Sequence, residues 1–216
     1  MTSNKPFTLA AGVLAAWALL ACSSVEPAAD PGAWKPNPMG TVSVFQRVSQ
    51  GSYGNASMQV SWTHGTQTHA GSVFEAAVSP QAGTNLYDPV THRIVHVLTP
   101  AGQPVMSYDP PIGLRFPLAV GQSWTEEHRV TMHARGTTIP VRVSYTVEAM
   151  ETVTVPAGTF QTFRLRITDS LGEQTMHWTA PAQGQAIVKR VLDRSASHPQ
   201  GAGHQEGTLL EVRKPG

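Results

Sequence analysis

Val141-Arg142-Val143-Ser144-Tyr145-Thr146-Val147-Glu148 alternates apolar and polar residues without a break. Successive side chains on a strand point to opposite faces, so Val141, Val143, Tyr145 and Val147 share one face. Arg142, Ser144, Thr146 and Glu148 share the other. This is the signature of a half-buried strand, and no window of comparable length keeps apolar residues at helical spacing. Residues 147–155 continue the strand or bend it near Met150. Val155-Pro156-Ala157-Gly158-Thr159 then reads as a type I turn whose glycine makes a G1 bulge. The turn joins residues 153–155 to residues 159–167 as a hairpin. Phe163, Leu165 and Ile167 are expected to face the core, with Arg164 and Arg166 outward.

Moving outward from that hairpin, the strand signals continue. Residues 41–48 and 73–78 are β-branched or apolar, and residues 92–98 carry Ile94, Val95, Val97 and Leu98. Met58, Val60 and Trp62 share one parity, as do Trp124, Val130 and Met132. Proline and glycine pair at residues 80–83, 100–102, 156–158 and 181–184, the chemistry of tight turns. Ser79-Pro80-Gln81-Ala82-Gly83 and Thr99-Pro100-Ala101-Gly102 lead to Tyr87-Asp88-Pro89 and Tyr108-Asp109-Pro110. Two such copies read as adjacent turns of like geometry, too few for a repeat fold. Residues 193–207 read as a long, floppy polar loop between residues 187–192 and 208–212, which pair as a last hairpin. The expected fold is all-β: one antiparallel domain of about ten strands, an open barrel or sandwich, over residues 40–213.

The N-terminus has a different character. Lys5 precedes an apolar run over residues 7–20, too short to span a bilayer, which needs roughly 20 residues. Leu19-Leu20-Ala21-Cys22 closes that run and holds the only cysteine of the chain. It reads as a lipobox. Residues 1–21 are then a lipoprotein signal peptide, and Cys22 becomes an acylated first residue. Two or more acyl chains, at about 0.8 kcal/mol per buried methylene, make such an anchor lasting. Ser23, and not Asp, follows; in Gram-negative lipoproteins that this stretch resembles, Ser there implies release to the outer membrane. Residues 22–39, with Pro27, Pro31, Pro36 and Pro38, read as a semi-extended tether. Trp34 is the one large apolar residue in it, fit either to dock on the domain or to sit at the lipid interface.

The balance of 15 basic and 14 acidic residues gives no electrostatic case for nucleic acid. With its only thiol lipidated, the domain has no internal disulfide and depends on packing and backbone hydrogen bonds.

Catalytic patterns are absent. Gly121-Gln122-Ser123-Trp124-Thr125 lacks the closing glycine of a nucleophile elbow. Glu126 and Glu127 fall on opposite strand faces and form no carboxylate pair. Asp88, Asp109 and Asp169 suit turn capping. Among nine histidines, His92 and His96 lie about 13 Å apart if both are on one strand, too far to share an ion. His64 and His69 flank Gly65 as if to meet across a hairpin. His198, His204 and Glu206 share the long loop and are the candidates for a metal site, since imidazole suits Zn²⁺ and Cu²⁺. No cofactor is expected. The aromatics read first as core. The alternative is an apolar cavity lined by Trp62, Trp124, Tyr145, Phe163 and Trp178 inside an incompletely closed barrel.

Three motifs carry a resemblance: Phe116-Pro117-Leu118-Ala119-Val120-Gly121-Gln122-Ser123-Trp124, Thr154-Val155-Pro156-Ala157-Gly158-Thr159-Phe160, and Trp178-Thr179-Ala180-Pro181 followed by Val188-Lys189-Arg190. Together they resemble a group of exported bacterial β-domains of unknown function, often borne by lipoproteins, over residues 111–192. The resemblance implies an antiparallel curved sheet or open barrel and no activity. The expected function is a non-catalytic, outer-membrane-anchored module facing the periplasm or the cell exterior. Its partners would be the membrane and either a small apolar ligand or an envelope protein. A secreted hydrolase or metal enzyme using the histidines, and a purely structural assembly subunit, are the rival readings.

Overall fold

The structure is a computed structural model that describes Met1 and residues 30–216. The apolar run, Cys22 and the first part of the expected tether lie outside the described residues. Twelve strands follow in chain order: β1 (Val42–Gly51), β2 (Ala56–His69), β3 (Ser72–Ser79), β4 (Gly83–Tyr87), β5 (Ile94–Leu98), β6 (Pro104–Ile112), β7 (Ser123–Met132), β8 (Thr137–Val155), β9 (Gly158–Asp169), β10 (Glu173–Ala180), β11 (Gln185–Arg194) and β12 (Gly203–Arg213). Each pairs antiparallel with its chain neighbour, and β1 pairs with β12 to close a barrel.

The antiparallel all-β class is as expected, but the barrel is closed, not open, and no sandwich forms. The difference lies in residues 193–207. Read as one polar loop, both of its ends are strand: β11 runs to Arg194, β12 starts at Gly203, and only residues 195–202 connect them. His204 pairs with Gln50 and Glu206 with Val48, so the polar stretch is the seam along which the last strand zips onto the first. Backbone groups make that ladder whatever the side chains are, and closure leaves no exposed edge. The connecting loop is ordered by Ser195 and by His198, which is buried.

β8 is continuous through Met150, with a register shift between Val147 and Ala149. Beyond the shift β8 and β9 run on as a hairpin around Pro156 and Ala157, with Val155 opposite Gly158. Gly158 has φ +133°, in the positive region the turn demands.

The inward faces of β7, β8 and β9 supply the main apolar core. Val130, Val141, Val143 and Tyr145 form one buried group, and Val147, Phe163, Leu165 and Leu118 the next; Trp124 touches both. The outward faces carry Glu127 and Arg129 on β7, Arg142 on β8, and Arg164 and Arg166 on β9. That wall meets water and is not the apolar belt of a membrane-spanning barrel. Among the described residues no helix is long and apolar enough to cross a membrane.

Residues 30–39, read as tether, lie with Gly40 against one end of the barrel. Gly32 C=O accepts from Leu118 N–H at 2.9 Å, and Lys35 N–H donates to Pro181 C=O at 3.0 Å. Asn37 Nδ2 donates to Gly184 C=O at 2.6 Å, and Gly40 N–H to His64 C=O at 2.7 Å. Trp34 docks: its ring stacks on Phe116 with centroids 5.2 Å apart.

Candidate functional site

The six neighbouring strands β11, β12, β1, β2, β3 and β4 turn one face toward a cavity of about 140 Å³. Strand alternation selects its lining. Ser43, Phe45 and Arg47 project from β1, Val60, Trp62 and His64 from β2, and Asn85 and Tyr87 from β4. From β11 come Gln185, Ile187 and Arg190; from β12, Gln205 and Gly207. Ile187 and Arg190 both reach the cavity, although their spacing breaks the alternation, in the stretch where the β10–β11 register shifts between Trp178 and Ala180. A bulge of this kind re-aims side chains.

The charge of this lining is one-sided. Arg47 and Arg190 face the cavity, and among the described residues no Asp or Glu lines it. Glu173 is the acidic group with the strongest pull on Arg190. Its carboxylate is already held by Tyr53 Oη at 2.6 Å and Arg194 Nε at 2.9 Å. Among the described residues, Arg47 makes a 3.3 Å contact with Met58 Sδ and no ion pair. Burial lowers the pKa of the Arg190 guanidinium, and the positive charge of Arg47 adds to that. An arginine stays charged nonetheless. Burial raises the Tyr87 hydroxyl, which therefore remains protonated and able to donate. Burial also lowers His64, and it lowers His177, beside Arg190 in the β10–β11 ladder, to about 4. Nε2 of neutral His177 donates to Ala186 C=O at 2.6 Å.

Of the five aromatics expected around an apolar cavity, only Trp62 lines this one. Trp124 and Tyr145 stack on each other in the core, and Phe163 is buried with Val147 and Leu165. Trp178 points the other way, its Nε1 donating to Glu151 at 2.6 Å with Lys189 Nζ over its ring. Closure of the barrel is the cause: the β7–β9 wall is filled by its own apolar side chains, and the space remains on the opposite wall.

His64 and His69 lie on the same strand, β2, so they do not face each other across a hairpin. His69 instead sits 5.2 Å, ring to ring, from His96. His92 has φ +56° and precedes β5, bonded through Nδ1 to Glu75 at 2.8 Å. His204 lies between Asp193 at 2.7 Å and Glu206 at 3.2 Å, which raise its pKa. His198 Nδ1 accepts from Gln200 N–H, away from that pair. Among the described residues no group of three or more His, Cys, Asp or Glu side chains is arranged to hold a metal.

A second polar cluster is buried under β7. Glu126 takes Arg93 on one carboxylate oxygen and Arg115 on the other, the latter at 2.6 Å. His128, fully buried, bonds Pro110 C=O through Nδ1 at 2.8 Å and has Nε2 3.8 Å from Glu126. This network ties the chain before β5 and the β6–β7 connection to β7. One carboxylate holds both guanidiniums, which makes the network a structural clamp, while Arg93 Nε and His128 Nε2 are buried without a hydrogen-bond partner among the described residues.

No family model matches the sequence, and no curated protein matches it. Solved structures similar to this chain include a candidate lipoprotein of Parabacteroides distasonis, 11% identical, covering 82% of this chain and 97% of that one, TM-score 0.42. The hypothetical lipoprotein YmcC of Escherichia coli is 14% identical, covering 81% and 84%, TM-score 0.45. A candidate exported protein of Bacteroides fragilis with a YmcC-like fold is 12% identical, covering 84% and 99%, TM-score 0.42.

Proposed function

We propose that the chain is an outer-membrane lipoprotein, held through an acylated Cys22, whose barrel binds a ligand in its interior without transforming it. The observation that carries the reading is the cavity between Phe45, Trp62, Tyr87 and Arg190. One wall of the barrel is packed solid, while the other leaves space lined by both apolar rings and unspent donors. A cavity of mixed lining, with few polar groups converging on it, is the usual form of a small-molecule site. The residues around it include no nucleophile hydrogen-bonded to a base with a third orienting group, which is what covalent catalysis requires. Ser43 Oγ and His64 Nε2 lie 3.5 Å apart, at the limit of hydrogen bonding, and among the described residues no carboxylate bonds the other ring nitrogen.

The chain from Cys22 to Asp30 is short. At no more than about 3.6 Å per residue it holds the barrel within roughly 30 Å of the acyl chains. The end crossed by residues 30–40, where Gly184 and His64 lie, is then the end nearest the bilayer.

The test is native mass spectrometry of the full-length protein, extracted in mild detergent from a Gram-negative envelope. The expected result is an N-terminus at an acylated Cys22 and a small-molecule adduct lost on unfolding. A water-soluble product with another N-terminus overturns the anchor, and a ligand-free mass under all gentle conditions overturns the binding role.

A further inference from the structure

We infer that the cavity is an oxyanion site, anchored by Arg190 with Arg47, for a small organic molecule bearing a carboxylate or phosphate on a compact apolar body. The inference rests on the binding role proposed above and specifies its chemistry.

Charge decides the head group. A guanidinium taken into a barrel interior loses much of its hydration, and burial is tolerated where a counter-charge replaces the water. Arg194, at the rim, has that partner in Glu173. Arg190 and Arg47 face the same cavity with no carboxylate in its lining among the described residues. Two like charges turned toward one space repel, and an anion between them relieves both the repulsion and the lost hydration. The planar guanidinium fork matches two oxygens of a carboxylate or phosphate. Tyr87, whose hydroxyl is kept protonated by burial, adds a neutral donor.

Shape decides the body. Phe45 and Trp62 present rings to the same space. A volume of about 140 Å³ is of the size that holds a benzene-sized molecule, and is too small for a phospholipid's acyl chains. The ligand class is therefore a small soluble organic oxyanion.

The position of the arginines also separates function from fold. A buried charge retained without a partner is a stability liability. An apolar replacement of similar length removes it. A residue kept for the fold would behave in the opposite way.

Titration calorimetry on the full-length lipoprotein in detergent tests the inference, with benzoate as the anionic probe and benzamide as its neutral isostere. Benzoate is expected to bind saturably and benzamide at least tenfold more weakly. Arg190→Met is expected to weaken benzoate at least tenfold while the ligand-free protein melts no lower than wild type. Arg190→Lys, which keeps the charge and loses the fork, covers the case in which Arg190→Met does not fold, and should bind benzoate several-fold more weakly. Equal affinity for benzoate and benzamide, with Arg190→Met or Arg190→Lys unaffected, overturns the oxyanion inference and leaves binding in the cavity standing. Saturation by phosphatidylglycerol vesicles and not by benzoate also overturns it. Failure of every probe, together with a ligand-free native mass, removes the binding role itself.

Discussion

The rings of Trp124 and Tyr145, directly opposite each other on β7 and β8, stack with centroids 4.8 Å apart and planes 7° from parallel. The pair joins the two apolar groups of the β7–β9 wall, and Tyr145 is buried. Truncating a buried aromatic removes its transfer free energy and leaves a cavity, about 3–5 kcal/mol. Tyr145→Ala is expected to destabilise by that amount in urea unfolding. In a double-mutant cycle with Trp124→Ala, the coupling should be about 0.5–1.5 kcal/mol, the part due to stacking beyond area. Strict additivity would show that the rings are held by their neighbours and not by each other.

Glu126 offers a second measurement. Its side chain is only 8% exposed and Arg93, which it holds, 12%. Removing one partner of a buried pair strands the other, at about 3–5 kcal/mol. Glu126→Gln should therefore lower stability by about 3 kcal/mol. Combining Glu126→Met with Arg93→Met should recover most of the loss, since no lone charge is then left inside. A double variant less stable than either single one would contradict the clamp.

Alternation makes the fold legible, and it marks more than the apolar core. The odd residues of 141–147 were readable as core, and so was the turn at Pro156-Ala157-Gly158, because both are local patterns. The same parity rule also marks the buried polar side chains. Glu126 and His128 sit between Trp124 and Val130 on one face of β7, and Arg190 sits between Val188 and Leu192 on β11, where Val188 and Leu192 are buried. A charged residue flanked at i−2 and i+2 by buried apolar ones must itself point inward. What no local pattern supplies is closure. That β12 would zip onto β1 through a polar stretch depends on backbone pairing between chain ends, and the placement of Trp178 outside the cavity depends on that closure.

His177 should make stability depend on pH. Its folded value, about 4, lies below the ordinary 6.5 because burial disfavours the imidazolium. The unfolded chain therefore takes up a proton before the native one does, and protonation favours unfolding. The contribution is complete above pH 6.5 and is lost progressively as pH falls toward 4. Urea midpoints of wild type and His177→Asn, compared at pH 7.5 and 4.5, should show the larger fall in wild type. Equal falls would mean that His177 titrates alike in both states.

Gly158 tests the hairpin. A Cβ added there would meet only Phe160, at 3.9 Å, so space is not the constraint. The constraint is φ +133°, which a β-branched residue does not adopt without strain. Gly158→Val is expected to lower stability by about 1–3 kcal/mol. An unchanged melting temperature would show that the turn has an alternative conformation free of positive φ.

Gly184 tests whether residues 30–40 are part of the domain. It follows the 3-10 turn Pro181–Gln183 with φ +72°, and a Cβ there would lie 2.5 Å from Asn37 Oδ1 and 3.1 Å from Lys35 C=O. Gly136, after the 3-10 turn His133–Arg135, has nearly the same backbone at φ +60°, with nothing within 4 Å of an added Cβ. Gly136→Ala therefore reports the backbone strain alone, about 1 kcal/mol. Gly184→Ala adds the displacement of Lys35 and Asn37, and should cost measurably more in thermal unfolding. It should also expose the segment, so that limited proteolysis cuts within residues 30–40 faster than in Gly136→Ala. Equal losses and equal cleavage in the two variants would mean that the segment lies on the barrel without being bound to it.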